Sequence, residues 1–319
     1  MQFNQDFIKF LSNYGFIIRE DDLYHYTPSP QKDPQEHSEE LIICPLLHWV
    51  WLKVSGEDRK KFLQGQLTCD VHSLTEHHGH LGAHCNRQGK VIATFYIYWR
   101  DGAYYLHLPR SAAQPLQDAL KQYAKFSKVN IEYDDLDWIS VGIAGKHSYK
   151  PLRQYVGLEP PLPNQQCFHQ DVYVHRVPGT IDRFVCSTRL NQMIPLWQTF
   201  LSHKATLANE SIWSKYDIDH RFAHIRLKTS GLFTPHALTL PEHQGVSFTK
   251  GCYTGQEIVA RMHYLGRARP ALCYSAHPLD ISYSIGDTLL DAQKQPIGTV
   301  LESYIDFPKK TQYLLVVSQ

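Results

Sequence analysis

Strand-like and helical runs alternate twice along this chain, and after residue 271 helical periodicity stops altogether. His48–Val54 reads as a strand leading into a short helix that turns Phe62 and Leu63 inward. Strands follow at His80–Cys85 and, after the Asn86-Arg-Gln-Gly turn, at Val91–Trp99. Asp101-Gly102 marks a hairpin into Ala103–Leu108. A helix over 111–125 places Leu116, Leu120 and Tyr123 on one face. Further strands are expected at Val129–Tyr133, Ile139–Ala144, 171–176 and 182–187, and helices around 191–203 and 207–226. The tail holds only short apolar strands broken by Pro and Gly. The pattern predicts an α+β protein ending in a small β-barrel of roughly 45 residues.

At 319 residues the chain is long enough for about two domains and needs no staples to build a core. The expected division is an N-terminal helix and polar linker (1–40), a main region (41–270) and the barrel (271–319). The helix, with Phe7, Phe10, Leu11 and Tyr14 at helical spacing, reads as an appendage tied on by the Pro-rich stretch 26–40.

Lysine plus arginine number 32 against 31 acidic residues, so bulk charge gives no case for direct nucleic-acid or membrane-surface binding. The longest apolar candidate, Leu41–Leu52, is short and holds Pro45 and His48, so no membrane helix is expected. Asp6 and Lys9 interrupt the first residues, which therefore do not read as an export signal. With seven widely spaced cysteines and no C-x-x-C, the expectation is a cytoplasmic protein with reduced thiols. Phosphate-binding G-x-x-x-x-G-K-[ST] and G-x-G-x-x-G loops are absent, as are H-E-x-x-H and G-x-S-x-G.

Histidine is dense at His72, His77, His78, His80 and His84, between Cys69 and Cys85. These groups could ligate a metal, but the spacing is looser than that of structural zinc sites, and a solvated loop accounts for them as well. His220 and His224 stand four apart on an expected helix, with no third ligand near, and no metal site is assigned. The sharpest segment is Lys250-Gly-Cys-Tyr-Thr-Gly-Gln-Glu-Ile-Val-Ala-Arg261. Thr254-Gly-Gln-Glu257 has the form of a capping box, so a helix should start at Gly255. Cys252 would then lie near the positive end of the helix dipole with Lys250 close by, both favouring thiolate. Glu257 and Arg261 are an i, i+4 pair in the favourable order. The alternative is a buried structural cysteine in a tight turn.

This segment resembles the signature of the YgfZ-type folate-binding proteins, relatives of the glycine-cleavage aminomethyltransferase. Trp49 with Lys53-Val-Ser-Gly-Glu-Asp58, Phe62-Leu-Gln-Gly-Gln-Leu-Thr-Cys-Asp-Val71 and Ala83-His-Cys-Asn-Arg-Gln-Gly-Lys90 are similar to the family in the same order. So are Tyr123-Ala-Lys-Phe-Ser-Lys-Val129 and Gly245-Val-Ser-Phe248. The resemblance implies a three-lobed ring, with a duplicated ferredoxin-like region that holds tetrahydrofolate and a C-terminal β-barrel. It also implies a role in maintaining iron–sulfur proteins, including radical enzymes that modify tRNA. It makes Cys252 the functional thiol and Trp49 a wall for the pteridine ring. The remaining folate contacts would come from Lys250, Gly251, Tyr253, Gly255, Gln256, Glu257 and Arg261.

The chain departs from the pattern of these families at four places, one of them a shortened Gly-Ile/Phe-Pro loop after residue 220. Ala93 and Thr94 stand where the aminomethyltransferases carry an Asp pair that acts on folate, and neither is a useful proton acceptor. His220 replaces a tryptophan, and Thr239 an asparagine, usual in the YgfZ type. The reading is a folate-binding accessory protein whose partners are iron–sulfur proteins or their assembly machinery. The alternatives are a tetrahydrofolate-dependent one-carbon transferase and a thiol or cluster module without folate.

Overall fold

A computed structural model describes residues 4–17, 25–26, 40–133, 138–157, 159–169, 171–266 and 272–318. The chain runs α1 (Gln5–Ser12), β1 (Phe16–Ile17), β2 (His25–Tyr26), β3 (Ile42–Pro45), β4 (Trp49–Ser55) and α2 (Arg59–Gln64). Then come β5 (His80–Cys85), β6 (Val91–Arg100), β7 (Ala103–Pro109), α3 (Arg110–Ala124), β8 (Asn130–Tyr133), β9 (Ile139–Ala144) and α4 (Tyr149–Val156). β10 (Gln166–His169), β11 (Val172–Val177), β12 (Arg183–Thr188), α5 (Leu190–Ser202), β13 (Thr206–Leu207) and α6 (Ser211–Asp219) follow. The last elements are α7 (Gln256–Leu265), β14 (Leu272–Pro278), β15 (Thr288–Leu290), β16 (Pro296–Asp306) and β17 (Thr311–Ser318). No described helix is long and apolar enough to cross a membrane.

The chain forms two compact units, one from residues 1–49 and 134–216, the other from 50–133 and 217–319. In the first, six strands are ordered β10-β11-β12-β9-β3-β13, antiparallel except for the β3–β13 pair. Its core packs Ile43, Val141, Ile143, Val174 and Phe184 from the sheet against Leu152 and Val156 of α4 and Met193, Leu196 and Trp197 of α5. Phe7 and Leu11 belong to that core, and the rings of Phe7, Phe10, Tyr14 and Phe16 lie 6.0–6.4 Å from Trp197. The N-terminal helix is therefore no appendage. Its apolar stripe completes the core around a tryptophan donated by α5. The expected linker falls largely outside the described residues.

In the second unit the sheet order is β5-β6-β7-β4-β8. α3 lays Ala112, Ala113, Leu116 and Leu120 on it, over Val50, Leu52, Val54, Phe95, Ile97 and Leu106. Asp101 and Gly102, both left-handed (φ 49° and 74°), make the tight β6–β7 turn that their sequence predicts. The tail is a four-stranded antiparallel sheet, β14-β17-β16-β15, cored by Leu289, Val300, Leu314 and Val316. Its outer strands do not pair with each other, so the expected barrel is a half-barrel. The long helix expected over 207–226 is only α6. His220 and His224 lie beyond its end, which removes their i, i+4 alignment.

Candidate functional site

Three segments that are distant in sequence meet in the second unit. Residues 64–69, the turn after α2, form a row of backbone acceptors. The carbonyls of Lys61, Phe62 and Leu63 are taken by the amides of Gly65, Gln66 and Leu67, as at any helix end. Of the others, Gln66 O accepts from His84 Nδ1, and those of Gln64, Gly65, Leu67, Thr68 and Cys69 are met by the segment 245–254. The Ser247 amide donates to Thr68 O (2.9 Å), the Thr254 amide to Gly65 O (3.2 Å), and the Thr68 hydroxyl donates back to Gly245 O (2.6 Å). Lys250 Nζ lies 2.7, 2.6 and 2.9 Å from the carbonyl oxygens of Gln64, Leu67 and Cys69.

That arrangement changes the role expected of Lys250. Its ammonium is buried, and its three N–H groups match three acceptors. Desolvation lowers its pKa to about 8, with Cys69 and Asp70 pulling the other way, so it is charged at neutral pH. It is neither a free cation for an anionic ligand nor an exposed neighbour for the Cys252 thiol.

The third segment is the 86–90 turn. Gly255, with φ 83°, is the N-cap of α7 and lies against this turn. A Cβ there would sit 2.5 Å from Asn86 O and 3.1 Å from both Cys85 Cβ and Gly89 Cα. A Cβ on Gly89 would meet Ile258 at 2.9 Å. α7 starts one residue later than expected and has no side-chain cap. The Thr254 hydroxyl instead donates to Gln66 Oε1 at 3.1 Å, because the left-handed Gly255 intervenes. The side chain of Gln256 accepts from the Tyr253 amide at 3.3 Å. Glu257 and Arg261 both stand exposed on α7, and no ion pair joins them among the described residues.

Between these anchors, Gly251 and Cys252 are exposed, with nothing within 4 Å of a Cβ built on Gly251. The alternative of a buried structural Cys252 is thereby removed. Cys44, Cys69, Cys85 and Cys186 are buried, and burial pushes the thiols of Cys69 and Cys85 up to about 12. Cys273 is exposed, since it points away from the small core of the half-barrel.

Tyr253 is 7% exposed, and its hydroxyl has no hydrogen-bond partner among the described residues. Burial raises its pKa, so the phenol stays neutral. An unpaired buried hydroxyl costs about 1–3 kcal/mol. Tyr253→Phe is therefore expected to keep or raise the calorimetric unfolding midpoint. A lowered midpoint would mean that the hydroxyl is satisfied.

The other singled-out residues are placed as follows. Trp49 opens β4, is 6% exposed, and its amide donates to Leu46 O at 3.3 Å. Thr94 is buried. It accepts from the Ile225 amide (3.0 Å) and contacts His224 Nδ1 (3.2 Å), so its hydroxyl is engaged in holding the 224–225 segment to β6. In the histidine-rich stretch, His84 Nδ1 donates to Gln66 O (2.9 Å) and His80 Nε2 meets the Ser73 hydroxyl (2.7 Å). No group of three metal-ligating side chains occurs among the described residues. Arg267 and Arg269, the next cations after Arg261 and further candidates to meet an anionic ligand tail, lie outside the described residues. Sequence reasoning missed Gln66, Thr68 and Ser247, which join the segments. Only the family-like run 62–71 could have pointed to the first two.

No family model matches the chain. The fold is that of the glycine cleavage system aminomethyltransferase T from Bartonella henselae, with a TM-score of 0.73 at 16% identity over 98% of this chain and 89% of that one. Sequence relatives are nearer. The tRNA-modifying protein YgfZ of Klebsiella pneumoniae is 33% identical over 252 residues, 77% of this chain and 75% of that protein. That of Colwellia psychrerythraea is 30% identical over 284 residues, covering 87% and 86%. With matches of that extent, this chain belongs to the YgfZ family of tRNA-modifying proteins.

Proposed function

We propose that this chain is a cytoplasmic, folate-binding accessory protein that supports the assembly or repair of iron–sulfur clusters, including those of radical enzymes that modify tRNA. The observation that carries the reading is the junction of three family-like segments around one exposed thiol, Cys252, on an aminomethyltransferase fold. Against the transferase alternative stands Thr94, a buried and already bonded hydroxyl at the position where the resemblance to aminomethyltransferases implies a carboxylate.

Tetrahydrofolate, when bound, supplies a carrier for one-carbon units, and Thr94 offers no base for moving a proton on it. The residues fit such a ligand in part. Arg261 is an exposed cation that suits a carboxylate tail, whereas Trp49, the wall that the resemblance implies for the pteridine, is only 6% exposed. Lys250 does not fit, because its three donors are already used.

Anaerobic calorimetry with tetrahydrofolate tests this reading. Binding is expected, and Trp49→Ala should weaken it by roughly tenfold, the equivalent of one aromatic stacking contact. Equal affinity in that variant would remove Trp49 from the site. Turnover of a one-carbon unit by the purified protein would replace the accessory role with the transferase.

A further inference from the structure

Gly251 and Cys252 form an exposed two-residue arch whose feet are buried or bonded on both sides. One foot is Lys250, at 8% exposure, and the other is Tyr253 with Thr254. Both feet stand on the same six residues, 64–69. Lys250 reaches Gln64, Leu67 and Cys69, and Thr254 reaches Gly65 through its amide and Gln66 through its hydroxyl.

Gln64 ends α2, so its carbonyl is one that a helix leaves without an internal partner, at the negative end of the dipole. A tetrahedral ammonium can donate to three converging carbonyls, which a neutral side chain of similar length cannot do. The Lys250 ammonium also lies 5.1 Å from the Tyr253 ring centroid, which brings the two feet together beneath the arch.

We propose that Lys250 is a positioning residue: its ammonium pins the α2 turn to the arch and so fixes where the Cys252 thiol is presented, without touching a ligand itself. The functional consequence rests on Cys252 being the functional thiol, whereas the pin is a property of the fold that can be measured separately. The lysine of the signature thus acts from beneath, through backbone carbonyls, while the cysteine two residues on acts from above.

Two measurements test the pin. In the wild-type protein, labelled with 15N at lysine, the Lys250 ammonium protons should exchange with water slowly enough to be observed at neutral pH, unlike those of exposed lysines. Exchange as fast as that of a surface lysine would overturn the proposal, and this reading needs no variant to fold. In Lys250→Met, which keeps the stem and loses the donors, the Thr254 amide should exchange faster by about tenfold for each hydrogen bond's worth of local stability lost. Amides of α3 should be unchanged. A Thr254 amide that exchanges at the wild-type rate in a folded Lys250→Met protein would also overturn it. Lys250→Arg is expected to behave like Lys250→Met, because a planar fork cannot converge on three carbonyls. Should Cys252→Ser retain full function while both exchange results hold, the functional reading fails and the pin stands.

Discussion

Gly255→Ala is expected to unfold in urea well below the wild type, while Gly251→Ala, four residues earlier in the same signature, unfolds with it. The two glycines differ in what surrounds them. Gly255 holds φ at 83°, a region that costs an L-residue about 1–2 kcal/mol. Its missing Cβ is also the space occupied by Asn86 O at 2.5 Å and Cys85 Cβ at 3.1 Å. These neighbours are backbone and a buried side chain, neither of which can swing aside. Overpacking of this kind costs about 1–3 kcal/mol more. The combined loss of about 2–5 kcal/mol is large for one methyl group and should lower the urea midpoint clearly. Gly251 has open space at its Cβ, so Ala there should fall within about 0.5 kcal/mol of wild type. Equal midpoints for the two variants would show that α7 does not rest on the 86–90 turn as described.

The same junction shows which parts of the structure were legible in the sequence. Apolar runs bounded by turn residues located β5, β6 and β7, which are buried on both faces, and helical spacing located α3, which lays one face on the sheet. Periodicity failed at α1, whose stripe looked detachable until Trp197, nearly two hundred residues away, supplied the partner for it. It failed at 207–226 because His220 and His224 sit in irregular chain that runs along β6 and is held by Thr94, a tertiary bond that no local pattern encodes. In the signature, the capping-box spelling was present, yet Thr254 spends its hydroxyl on Gln66. Lys250 looked like a free cation because sequence reports charge and not burial. The residues that matter most at the junction, Gln64 to Cys69, contribute mainly backbone carbonyls, which leave no trace in side-chain chemistry.

Cys252→Ser is expected to abolish function while leaving the unfolding midpoint at the wild-type value, and Cys85→Ser is expected to do the reverse. Cys252 is exposed on the arch, so replacing its sulfur removes no packing. Under oxidative stress, cells lacking the native protein should not be rescued by this variant. Cys85 is fully buried against Gly255, and burial holds its thiol at about 12, so near pH 7 it offers almost no thiolate for chemistry. In Cys85→Ser a hydroxyl would enter that tight, buried contact without a partner, at a cost of about 1–3 kcal/mol. Iodoacetamide provides the check on accessibility. Near pH 7, Cys252 and Cys273 should be alkylated first, since both are exposed, and Cys44, Cys69, Cys85 and Cys186 should react only as the protein opens. Cys273→Ser then separates the two exposed thiols, because Cys273 lies on the half-barrel and outside the signature. That variant should rescue fully. Full rescue by Cys252→Ser, with Cys85→Ser or Cys273→Ser failing, would move the functional thiol to the cysteine whose loss is felt.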